Sequence, residues 1–224
     1  MKKIFPPLFL IFSLLCGCTL GEADGTIPVA ARQVHANYIM GDKGFGLDPS
    51  RAIFYESFEN GSLDHWLTTQ PGASGDSWRV GNKQIHFGAS SLTYGQGEVI
   101  GKGIEFGEAT IATKEVIALQ KAKKPVLILF ALFDRQGAAG DRTAFQAEAS
   151  NDLGFHWEPL KPIGFGDPVI AAVDDPSREW KRFRYDLTPY AGQPIRLRIN
   201  LRASLSNRKL LYLDDILVAE SSEG

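Results

Sequence analysis

Few side chains in this sequence are placed to do chemistry, and most of those that are carry charge. The four histidines, His35, His65, His86 and His156, lie far apart, and none has the spacing of a zinc-ligand pair. The two cysteines, Cys16 and Cys18, fall within the first eighteen residues, so nothing from Thr19 onward forms a disulfide or a thiolate metal site. There is no Gly-x-Ser-x-Gly elbow, no phosphate loop and no glycine fingerprint for a dinucleotide. Carboxylate pairs such as Asp174-Asp175 have the groups that glycoside hydrolysis needs, but spatial separation decides that chemistry. Adjacent turn carboxylates are ordinarily solvated. The expectation is a protein that is not an enzyme.

The other charged pattern is basic. Arg182 and Arg184 alternate with apolar residues in one segment, and Arg196, Arg198 and Arg202 do so in another. If the two segments are neighbouring strands, these side chains form one basic face on a net-acidic protein. Such a face suits acidic glycan or lipopolysaccharide phosphates through bidentate guanidinium contacts. Arg182, Arg184, Arg196 and Arg198 are the ligand-binding candidates on that reading. The alternative is a solvated sheet face whose arginines pair with Asp and Glu across strands.

The elements that would position these groups are strands. The 224 residues carry 24 basic and 26 acidic side chains, 44% hydrophobic residues and a pI near 6.1. That balance excludes a disordered chain and a multi-span membrane protein, and offers no basic field for nucleic acid. Ile195 to Arg202 and Glu179 to Leu187 alternate with period two, the pattern of antiparallel strands with one wet face. Pro125 to Phe133 is continuously apolar, which predicts a central strand covered on both faces. Ala109 to Leu119 and Leu210 to Ala219 complete the set. Gly-rich turns such as 72–76 and 137–141 separate them, and no long helix-period run follows residue 18, so the expected fold is an all-β antiparallel sandwich.

The chain's start reads as an address. Met1-Lys2-Lys3 is basic, and Ile4 to Leu15 is apolar but too short for the roughly 20 residues that span a bilayer. Leu15-Cys16-Gly17-Cys18 resembles the lipobox of bacterial lipoproteins, in which a small residue precedes the lipidated cysteine. The resemblance implies cleavage after Gly17, acylation of Cys18 and a membrane partner through the lipid. Thr19 rather than Asp after the cysteine resembles an outer-membrane sorting signal, so the expected location is the outer membrane or cell surface. Residues 1–17 are then the signal peptide and 18–50 a lipidated, Gly-rich tether, in which Ile27 to Ile39 reads equally as strand or helix. Residues 51–220 are the sandwich domain and 221–224 a tail.

Within the sandwich, seven short motifs occur in an order similar to MAM-like and galactose-binding-like jelly rolls. They are Phe58-Glu59-Asn60-Gly61 with Trp66, Ser77-Trp78-Arg79-Val80, Gly88-Ala89-Ser90-Ser91-Leu92, Ser150-Asn151-Asp152-Leu153-Gly154-Phe155-His156-Trp157, Trp180, Asp186 to Gly192, and Tyr212-Leu213-Asp214-Asp215-Ile216. The resemblance implies a jelly roll and fold-building roles for Trp66, Trp78, Trp157 and Trp180. That leaves Phe155, Phe165 and Tyr94, in Gly-rich loops, as a binding edge. It also implies a structural calcium between first and last strands, held by Glu59 and Asp214 with Asp215 second in line and carbonyls near Gly88 and Ser90. The competing reading has Glu59 bridging an arginine and Asp214 capping backbone amides.

Together these readings give a lipid-anchored module that binds carbohydrate or a protein partner, or an accessory lipoprotein that holds another envelope protein. Cys18→Ser should leave the chain unprocessed and unable to incorporate labelled palmitate. Normal labelling of that variant would remove Cys18 as the anchor.

Overall fold

Alternation becomes sheet where the apolar side of each strand finds a partner. The computed structural model describes residues 51–69, 77–95, 106–134, 144–164, 169–171, 179–204 and 210–221. Cys18, the signal and tether, Phe165, Asp174-Asp175 and residues 222–224 lie outside them. The described strands are β1 (Ala52–Glu56), β2 (Trp66–Thr69), β3 (Trp78–Gly81), β4 (Ser91–Tyr94), β5 (Phe106–Thr113), β6 (Ile117–Ala118), β7 (Pro125–Asp134), β8 (Ala144–Ser150), β9 (Glu158–Pro159), β10 (Val169–Ala171), β11 (Lys181–Asp186), β12 (Pro194–Ser204) and β13 (Leu210–Glu220). A 3-10 turn, Thr188–Tyr190, lies between β11 and β12.

They form two antiparallel sheets. One runs β11-β7-β13-β4-β3, with β1 also on β13; the other runs β10-β8-β12-β5-β2, with β6 on β12 and β9 on β8. The core between them is continuous and includes Trp66, Trp78, Leu129, Phe145, Tyr185, Leu197, Ile199 and Leu213. The expected β-sandwich is the observed fold.

Strand β7 is buried on both faces, as its sequence predicts. Leu127, Leu129, Ala131 and Phe133 point into the core, while Val126, Ile128 and Leu132 join two smaller apolar clusters on the far face. The expected strand Ala109 to Leu119 is instead two. β5 stops at Thr113 because Lys114 gives its amide to the His65 carbonyl at 2.9 Å. Three exposed residues follow before Ile117 re-enters the core opposite Ile195.

The strand that organises the six-stranded sheet is β13. Its inward residues are Leu211 and Leu213, then Ile216 and Val218, so the side-chain parity changes between them. The change is a β-bulge: pairing with β7 shifts register between Asp214 and Leu217, and Asp215 takes a left-handed φ of 51°. Both aspartates are fully buried.

Candidate functional site

The arginines divide between the two sheets. Arg182 and Arg184 lie on β11, at the edge of the six-stranded sheet, and Arg196 and Arg198 on β12 inside the seven-stranded one. No single basic face joins the four, because β11 pairs with β7 whereas β12 pairs with β5 and β8.

On the outer face of the seven-stranded sheet, register builds polar rows. Arg198 stands opposite Glu148 and forms an ion pair with it through Nε. Arg202 stands opposite Glu108 and pairs with it at 3.0 Å. Between these rows Asn200 faces Gln146 on one side and Thr110 on the other, and the Thr110 and Thr69 hydroxyls are 2.6 Å apart. One flank is more exposed than the middle: Arg202 and Glu108 are 57% and 60% exposed, Asn200 and Gln146 only 6% and 9%. On the other flank Arg198 is 24% and Glu148 7% exposed, so the shielded band runs from the Asn200–Gln146 pair to Glu148. Arg198 also lies over the Trp157 ring, 4.5 Å from its centroid, a cation–π contact.

Arg196 serves the neighbouring loop. Its Nε donates to the Thr113 carbonyl at 2.6 Å and Nη1 to the Leu153 carbonyl at 3.1 Å. Loop 151–157 is further tied by Gly154 N–H to the Ser150 hydroxyl at 2.8 Å and by His156 N–H and Nδ1 to the Asp152 carboxylate at 3.0 and 2.5 Å. The His156 amide, then the Ser150 hydroxyl and the His156 ring, hold the Asp152 carboxyl well below the usual range. Leu153 is left-handed at φ 64°, and a Cβ on Gly154 would come within 3.1 Å of the Trp157 ring. This braced loop presents Phe155 at 83% and Leu153 at 65% exposure.

Phe155 is thus an exposed edge, as expected. Tyr94 is not: it is 2% exposed and packed 5.1 Å from Trp78, because β4 lies inside its sheet. Trp66 and Trp78 are core residues, whereas half-buried Trp157 stands on the polar face. Its proximity to the outward β12 positions was hidden, since β8 carries no clear alternation of polar and apolar types.

The expected calcium ligands converge on loop 84–90, and all of them accept protein hydrogen bonds. Glu59 accepts the amides of Ala89 and Ser90 at 2.9–3.0 Å, with no arginine among its described partners. Asp214 accepts the amides of His86, Phe87 and Asp215. Asp215 accepts the Tyr55 hydroxyl at 2.6 Å and lies 2.6 Å from His86 Nδ1. Burial first, and the Asp215 charge second, push the Asp214 carboxyl up to about 9, against the pull of the three amides. Burial and Asp215 also push the Tyr55 phenol far up. No group of three or more His, Asp or Glu side chains close enough to share a cation occurs among the described residues. Two adjacent buried carboxyls are nonetheless donors that suit a hard cation.

No family model matches this chain, nor does any curated protein. Among solved structures it is similar to the C-terminal family 22 carbohydrate-binding module of a Clostridium thermocellum protein, at TM-score 0.50 and 11% identity, over 80% of this chain and 99% of that one. The K3 cleaved adhesin domain of Lys-gingipain from Porphyromonas gingivalis gives TM-score 0.49 at 15% identity, over 76% and 99%. A family 61 module solved with β-1,4-galactotriose gives 0.48 at 13%, over 74% and 94%. The likeness is one of fold.

Gly88→Ala should destabilise the domain by about 1–3 kcal/mol in urea unfolding. Its φ is 90° and the new Cβ would fall 2.4 Å from Glu59 Oε1, whereas Gly81→Ala, with nothing nearer than 4.0 Å, should cost far less. Equal effects would show that the Glu59 contact does not constrain the loop.

For Asp214 the sign follows from a raised folded pKa: the folded state keeps a proton that the unfolded state releases. In chelator, the melting midpoint should therefore fall as pH rises from about 4 toward about 9, and Asp214→Asn should flatten that slope. A midpoint independent of pH would mean that Asp214 stays ionised in the fold.

Proposed function

We propose that this chain is a non-enzymatic carbohydrate-recognition module, held on the bacterial envelope by lipid on Cys18. The observation that carries the reading is the half-buried Trp157 ring, set against Arg198 beside a row of amide and hydroxyl side chains. An aromatic face and polar side chains fixed on strands offer a pyranose both stacking area and hydroxyl partners. The Clostridium module that shares the fold binds its ligand in a cleft. The MAM-like order of motifs and the lipobox fit the same module at the cell surface, which needs a tether and no catalytic group.

The non-enzymatic reading rests on what His86 and His156 do. His86 pairs with Asp215 but stacks on Phe130 at 3.6 Å and meets Trp180 edge-on, while His156 braces its own loop through Asp152. Neither has a serine or threonine nucleophile among its described partners.

Calcium is proposed at Asp214 and Asp215, where it would displace the Asp214 proton and offset the charge of both carboxylates. At a hundredfold excess over Kd it would add about 2.7 kcal/mol.

A second reading is favoured by one feature. Phe155 and Leu153, exposed on a rigid loop, suit a fixed protein partner better than a sugar hydroxyl.

Trp157→Ala should weaken binding on a glycan array at least about tenfold, with the melting midpoint little changed. Array binding that survives the substitution would move the sugar site elsewhere. No glycan binding by the unaltered protein, together with one partner crosslinked through position 155, would establish the accessory role instead. A melting midpoint several degrees higher in calcium than in chelator, and lost in Asp214→Asn, would support the ion. Equal midpoints would leave the carboxyls as amide and phenol acceptors only.

A further inference from the structure

The charged groups on the outer face of the seven-stranded sheet are already spent on one another. Glu148 neutralises Arg198 and Glu108 neutralises Arg202, while Arg196 is bound down by the Thr113 and Leu153 carbonyls at the end of the face. An anionic ligand would have to compete with these carboxylates for the guanidiniums.

One group left without a described partner is charged, the buried Arg196 Nη2 at the end of the face; the other, at its centre, is neutral. Asn200 and Gln146 face each other across β12 and β8, each more than nine-tenths buried. Asn200 Oδ1 is buried without a hydrogen bond among the described residues. A shielded amide oxygen without a partner is costly to keep. Native structures keep such groups chiefly where something else satisfies them.

Each primary amide offers both a donor and an acceptor. Two side by side match neighbouring hydroxyls of a sugar ring, which also donate and accept. Access comes from the flank: Arg202 and Glu108 are more than half exposed, and a pair so open to solvent holds its place weakly.

We propose that this row of polar side chains selects a neutral, hydroxyl-rich glycan, whose adjacent hydroxyls bond the paired amides of Asn200 and Gln146 while a ring stacks near Trp157. The inference rests on the carbohydrate reading above and names its substrate class. It replaces the acidic glycan that the arginine pattern alone suggests.

The test is titration of the full-length protein in detergent with xylan and β-1,4-galactan as neutral probes and polygalacturonate as the acidic one. At least one neutral chain should bind at least about tenfold more tightly than polygalacturonate, and added salt should change its affinity little. Gln146→Ala and Asn200→Ala should each weaken neutral binding about tenfold. Arg182→Ala, on the other sheet, should leave it unchanged. If Asn200→Ala fails to fold, Gln146→Ala alone decides the point. Tighter, salt-sensitive binding of polygalacturonate overturns the inference but keeps the carbohydrate reading. So does neutral binding that ignores a folded amide variant. Binding of none of the three probes overturns the inference, and an empty broad glycan array would then remove the carbohydrate reading as well.

Discussion

The bulge in β13 is the constraint on which the six-stranded sheet depends. One extra residue between Leu213 and Ile216 lets the strand keep apolar side chains inward on either side of it. It also leaves Asp214 and Asp215 buried, where water cannot satisfy them. Their partners are recruited from distant parts of the chain: the His86 and Phe87 amides, the His86 ring and the Tyr55 phenol. Loop 84–90 and β1 are thus fastened to the last strand by polar contacts rather than by packing alone. Glu59 secures the same loop from its other end, which is why a residue without a side chain is required at Gly88.

Much of this sandwich is legible in the sequence, because period two and unbroken apolar runs report directly on which faces are covered. β7, β11, β12 and β13 follow that rule to within a few residues. The division of Ala109 to Leu119 escaped it, since the break depends on a carbonyl from His65, far away in the chain. Parity in β13 escaped it as well: alternation gives no sign that the two adjacent aspartates mark a bulge that buries both.

The candidate site was less legible than the fold. Alternation places Arg196, Arg198, Asn200 and Arg202 on one side of β12, but says nothing of which strands lie beside it. Register supplies Glu148 and Glu108 and turns an expected basic surface into a nearly balanced one. β8 reads as Ala-Phe-Gln-Ala-Glu-Ala-Ser, where small alanines make up most of the buried side and blur the pattern. Gln146 and Glu148 were invisible for that reason. Trp157 looked like one more core aromatic, because its motif also builds the turn that holds it.

The pairing of β1 with β13 sets the route by which mechanical load crosses the domain. Ala52 lies against Ala219, so a pull on the segment preceding residue 52 enters at a strand whose described pairing is with β13 alone. The polar row around Asn200 belongs to the other sheet. Tension between a surface anchor and a bound ligand would therefore pass through the apolar interior, where the two sheets adhere by contact area rather than by backbone bonds. Slippage between the sheets, rather than unzipping within either, is the failure that such loading would seek first.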